Sequence, residues 1–144
     1  MANVVYNLAK KTDINWATAD IRVLLLGGAS VPAGARDPDL TNIAALLAVP
    51  GTSELNATNY ARKTTTRTDT ADNTNDRGNQ AISAAVTWTA LGGATNDTIR
   101  AAVFYVFNAS DSAAVPYCYA DLTTAVPTNG SDVTINAGDI VRTA

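Results

Sequence analysis

Residues 21–26, Ile-Arg-Val-Leu-Leu-Leu, form a short apolar run closed by Gly27-Gly28. A run this short and this apolar is the pattern of a β-strand buried on both faces, so the fold must supply a covering layer on each side of it. A second run, Ile-Arg-Ala-Ala-Val-Phe-Tyr-Val-Phe over residues 99–107, is the longest β-branched and aromatic stretch in the chain and predicts the core strand of the second half. Around these two, residues 60–64 alternate like an edge strand, and residues 72–78 carry the Asp, Asn and Gly chemistry of a hairpin turn. Residues 79–86 and Trp88 are small enough on average to pack closely on a neighbouring sheet, with a turn at Gly92-Gly93. Residues 117–122 and 133–135 complete the strand series, separated by the turn signal Pro127-Thr128-Asn129-Gly130. Short strands at regular spacing imply a mainly β fold, a β-sandwich or barrel-like single domain over residues 1–144. A chain of 144 residues can bury such a core without disulfides or metal.

One amphipathic helix is expected. Asp37-Pro38 offers an N-cap and a first-turn proline, Leu40, Ile43, Leu46 and Leu47 recur at helical spacing, and Pro50-Gly51 ends the pattern. This predicts a helix over residues 37–49, about three turns long. Residues 4–10, with Val4, Val5, Leu8 and Ala9 apolar, are compatible with a second short helix, and Ile14-Asn15-Trp16 with an anchored connection. Residues 1–19 together read as an N-terminal arm or short helix.

Only 16% of residues are charged, and Thr, Asn, Ser and Gly fill the polar deficit. Short neutral side chains lose little rotamer freedom when a neighbour covers them, which favours a packed assembly over a freely diffusing enzyme. The net charge of −3 argues against nucleic-acid binding, which needs a basic footprint on phosphates. The densest positive group, Arg62, Lys63 and Arg67, is followed by Asp69, Asp72 and Asp76 and reads as solvated loop and strand edge. The N-terminal residues carry no secretory signal pattern and no stretch reaches membrane-spanning length, so the chain is expected to be made in the cytoplasm and to bind no membrane. Four matches to the glycosylation sequon, at Asn56, Asn96, Asn108 and Asn129, are what a chain this rich in Asn and Thr produces by chance.

Candidate chemistry is sparse. The chain has no histidine, so the usual base and metal ligand are missing, and Cys118, the single cysteine, reads as a small buried apolar group. Asp69, Asp72 and Asp76 with Asn73, Asn75 and Gly78 could wrap a Ca²⁺, yet Thr74 and Arg77 break the EF-hand spacing, and the plain reading is a turn-forming loop. Gly27-Gly28 and Gly92-Gly93 match no phosphate-binding fingerprint and read as turns. Trp16, Trp88, Tyr105, Tyr117 and Tyr119 could stack on a sugar, but aromatics spread over several strands are more often core. Any two of the 13 acidic residues could meet as a glycosidase pair, and nothing singles one out. The expectation is no enzyme, no catalytic residue, no cofactor and no metal site.

The order of the segments carries a resemblance. Asn-Val-Val-Tyr-Asn at the N-terminus is followed by Asn15-Trp16, Asp20-Ile21-Arg22-Val23-Leu24-Leu25 and Asp37-Pro38-Asp39. Then come Ala85-Val86-Thr87-Trp88-Thr89-Ala90, Ala101-Ala102-Val103-Phe104-Tyr105, Tyr119-Ala120-Asp121-Leu122 and the tail from Thr128-Asn129-Gly130-Ser131-Asp132 to Val133-Thr134-Ile135. Over nearly its whole length the chain resembles small virion structural proteins of tailed bacteriophages, of the capsid decoration (cement) type. The resemblance implies a protein on the outer capsid surface that bridges subunits of the major capsid protein, itself a homotrimer or homodimer, with no nucleic-acid or membrane partner. Tail or fibre attachment is the alternative role. Weak contacts to several shell subunits would add through multivalency. The bridging segments expected are the loops over residues 27–36 and 67–78 and the N-terminal arm, as long irregular segments in a compact domain are usually functional or unfolded.

Overall fold

The computed structural model describes residues 3–6, 18–74 and 77–143. Among the described residues, ten strands and one short α-helix make the fold mainly β: β1 (Asn3–Val5), β2 (Ile21–Leu26), α1 (Ile43–Ala48), β3 (Lys63–Thr65), β4 (Arg67–Asp72), β5 (Arg77–Ile82), β6 (Val86–Leu91), β7 (Thr98–Val106), β8 (Val115–Pro127), β9 (Ser131–Ile135) and β10 (Gly138–Thr143). The two apolar runs read from sequence are adjacent antiparallel strands, with Leu24 opposite Val103. They lie inside a five-stranded sheet of order β1-β8-β7-β2-β3. A three-stranded sheet, β10-β5-β4, and a pair, β6-β9, complete the architecture.

The central sheet is buried on both faces, as the unbroken apolar run of β2 requires. Val23 and Leu25 point to one face, with Ala102, Phe104 and Cys118, and are covered by Trp88 and Leu91 of β6 and Ile82 of β5. Leu24 and Leu26 point to the other, with Val103, Tyr105 and Tyr119, and are covered by Ile43 and Leu46 of α1, Tyr6 and Ala114. Trp88 is fully buried, and its indole Nε1 donates to the Ala61 carbonyl at 2.7 Å, so its one polar atom is satisfied. Ile99, Val103 and Tyr105, read as core, are buried too.

Three expectations need correction. The helix is six residues long and begins after Asn42, not at Asp37. The Asp37 carboxylate accepts from the Asp39 N–H at 3.0 Å and its carbonyl from the Leu40 N–H at 3.3 Å, which closes a separate turn. Asn42, with extended backbone, accepts from the Ala45 N–H at 2.7 Å and is the true cap. Residues 4–5 are not helical but part of β1, paired with Cys118 and Tyr119 of β8, so long-range pairing overrides a weak local pattern; residues 7–17, with Trp16, lie outside the described residues. Residues 67–78 are no long loop: β4 and β5 pair there as a hairpin, which bears out the turn over residues 72–78. In the loop over residues 27–36, Ala33–Arg36 forms a turn of 3-10 helix.

Candidate functional site

Where β8 runs beside β7 the register breaks. Ile99 faces Val126, but Ala101 faces Asp121, so residues 122–125 of β8 arch out opposite the single residue Arg100, with no counterpart of their own on β7. Bulges of this kind re-aim side chains and are enriched beside functional sites. Beneath the arch is a cleft of about 260 Å³ whose walls include Ser30, Val31, Arg36, Arg100, Asp121 and Thr123.

Three separate parts of the chain build it. The 3-10 turn delivers Arg36, whose Nη2 donates to Asp121 Oδ2 at 2.9 Å while the guanidinium lies 5.6 Å from the centre of the Tyr119 ring. The Tyr119 hydroxyl donates to the other oxygen of Asp121 at 3.4 Å, and Arg36 Nε is buried without a hydrogen-bond partner among the described residues. Arg100 comes from β7, and its Nε donates to the Gly28 carbonyl at 3.0 Å. Gly28 has φ of 91°, a left-handed conformation that costs a side chain roughly 1–2 kcal/mol.

Asp97 fixes the loop that carries Gly28. Its Oδ1 accepts from the backbone N–H of Gly28 at 2.9 Å and of Thr98 at 2.7 Å, and its Oδ2 from that of Asn56 at 2.9 Å. A Cβ at Gly27 would collide with this carboxylate. Burial works against ionisation of Asp97, but the three N–H donors outweigh it and hold its pKa below the ordinary value.

A second charged constellation is closed. Arg62 Nε and Nη2 grip Glu54 at 2.8 and 2.7 Å, Nη2 and Nη1 grip Asp111, and Nη1 also reaches the Tyr105 hydroxyl. The Tyr60 hydroxyl donates to Glu54 at 2.8 Å and accepts from the Leu25 N–H at 3.0 Å. Arg62 is therefore not a solvated charge as the sequence suggested: it clamps two loops, and its guanidinium, by hydrogen bonding and charge, overcomes the opposing effect of burial and holds Asp111 below the ordinary carboxylate range.

Cys118 is buried, and burial pushes its thiol up to about 12, which keeps it protonated near neutrality. Trp88, Tyr105, Tyr117 and Tyr119 are buried in the core and offer no stacking platform. Among the described residues no group of three or more His, Cys, Asp or Glu is placed to hold a metal ion; the side chains of Asp69 and Asp72, and all of Asn75 and Asp76, lie outside the described residues. No helix among the described residues is long and apolar enough to cross a membrane. Of the segments singled out from sequence, the loop over residues 27–36 does line the cleft, whereas Arg100 and Asp121 were missed. The available signal was Arg100 itself, a cation inside an otherwise apolar strand. Searches of protein-family models, curated proteins and solved structures find nothing that matches this chain.

Proposed function

We propose that this chain is a virion structural protein of a tailed bacteriophage, of the capsid decoration type, which binds the outside of the shell and bridges its subunits. The observation that carries this reading is the arch of residues 122–125. It is a strand segment without a cross-strand partner among the described residues, made of Leu, Thr, Thr and Ala, standing beside the loop over residues 27–36 on a double-covered sheet. Such a segment can pair with an extended stretch of another chain by main-chain hydrogen bonds. Its short side chains can be covered at low entropic cost. The inward use of Trp88, the tyrosines and Cys118, and the internal pairing of Glu54, Asp97 and Asp111, fit a scaffold that presents a surface rather than one that turns over a substrate.

The test is the stoichiometry of the chain relative to the major capsid protein in purified virions. Decoration predicts a copy number comparable with that of the shell protein and particles that leak DNA when the chain is deleted. A handful of copies per particle with an intact head would overturn it in favour of tail or fibre attachment.

A further inference from the structure

We propose that the cleft between Arg36 and Arg100 is a binding site for one carboxylate brought by another molecule. This does not depend on the virion reading. Arg22, Arg36 and Arg62 each reach a carboxylate of the chain, whereas no carboxylate lies within ion-pair distance of Arg100 among the described residues. Arg100 Nε is held by the Gly28 carbonyl, and its two Nη groups have no acceptor among the described residues. That leaves the end of the guanidinium fork open, the edge that takes both oxygens of a carboxylate in parallel hydrogen bonds.

The charge balance selects the ligand. Arg36 and Asp121 offset one another, and Arg100 has Asp97 behind the Gly28 loop as a carboxylate that acts on it from beyond ion-pair distance, so the open fork of Arg100 is what the cleft offers a ligand. One carboxylate fits that single fork. A phosphate dianion would bring a second negative charge against Asp121, which stays in place because Arg36 and Tyr119 both hold it. A volume of about 260 Å³ admits a carboxylate on a short aliphatic stem, with Val31, Leu122 and Ala125 as apolar wall and the hydroxyls of Ser30 and Thr123 at hand. The carboxylate can be that of a free small acid or the side chain of a glutamate in an extended peptide, whose main chain would also pair with the arch of residues 122–125.

Side-chain nitrogen–proton NMR of the arginines, at constant ionic strength, decides. The probes are sodium acetate, the blocked peptide acetyl-Gly-Glu-Gly-amide, its Gln counterpart, sodium phosphate, and sodium chloride as reference. The Arg36 and Arg100 Nε–H signals should move saturably with acetate and with the Glu peptide, more than with chloride, while Arg62 stays still. Tighter binding of the Glu peptide than of acetate, lost in the Gln peptide, marks a peptide-borne carboxylate; equal binding marks a free acid. Arg100→Lys, which keeps the charge and loses the fork, should weaken binding roughly tenfold, the worth of one charge-assisted hydrogen bond. Thr123→Trp, which fills the cleft from an exposed position, should abolish it without disturbing the backbone spectrum. No saturable movement beyond chloride, stronger binding of phosphate than of acetate, or unchanged binding in Arg100→Lys and Thr123→Trp would each overturn the proposal.

Discussion

The five-stranded sheet and the three-stranded sheet are built from the same backbone ladder by different physics. In the first, β2 and β7 contribute Ile, Val, Leu, Phe and Tyr to both faces, and nearly every side chain between Leu24 and Leu26 or between Ala101 and Tyr105 is buried. In the second, β4 reads Arg-Thr-Asp-Thr-Ala-Asp with Thr68 and Thr70 exposed, and Ile82 at the end of β5 is its contribution to the core among the described side chains. The first is held mainly by burial; the second, among the described side chains, adds Ile82 to the core and otherwise rests on strand pairing. Regions with few buried apolar contacts open at lower free energy, so the two sheets should differ in stability although both are regular.

Substitutions can break that contrast. Trp88→Ala, in the layer that covers the central sheet, should lower the unfolding free energy by about 3–5 kcal/mol in denaturant titrations, whereas Thr68→Ala or Thr70→Ala should change it by less than about 0.5 kcal/mol. Comparable effects in the two sheets would erase the distinction. Arg62→Ala comes next, at about 1–3 kcal/mol, because it frees two carboxylates and uncouples the loops around Glu54 and Asp111 from each other.

Acid should loosen these loops before the hydrophobic layers. Asp97 and Asp111 both have pKa values lowered from 3.8 by folding, so the stability they add is fully present above the unfolded value and is lost as pH falls through the folded values. Unfolding followed between about pH 5 and pH 2 should therefore show a decline that is shallower in Asp97→Asn, which no longer titrates there. An unchanged slope would remove Asp97 from the account. A small effect of opposite sign is expected at Ala90, which sits at φ of 49° in the bulge between β6 and β9. Ala90→Gly should raise stability by about 0.5 kcal/mol, the left-handed strain relieved less the entropy that glycine loses.

The same contrast explains what was legible in the sequence. β2 and β7 announce themselves because a strand buried on both faces must be a continuous apolar run, and Pro127-Thr128-Asn129-Gly130 marks the turn into β9. β4 did not, because strand pairing of Thr and Asp leaves no apolar period to read. β1 was missed as a strand because Val4 and Val5 alone fit a helix as well, and only β8 decides between them. Asp37 lost the helix to Asn42 through a local hydrogen bond that competes with capping. Of the cleft, one wall, the loop over residues 27–36, was legible as an irregular Gly/Ala/Pro stretch. The rest was not, because it arises from a register break between β7 and β8 and from Arg36 reaching Asp121, which is 85 residues away.

Hydrogen exchange read by mass spectrometry, on the free protein and on the protein bound to phage shells, tests most directly the claim that a rigid double-covered sheet presents its β8 arch and the 27–36 loop to a partner. Free, the centre of β7 should be the slowest to exchange and β4 and β5 should exchange much faster; bound, residues 27–36 and 121–126 should gain protection while β4 and β5 keep theirs unchanged. Protection gained mainly at β4 and β5, with residues 121–126 exchanging as in the free protein, would contradict it.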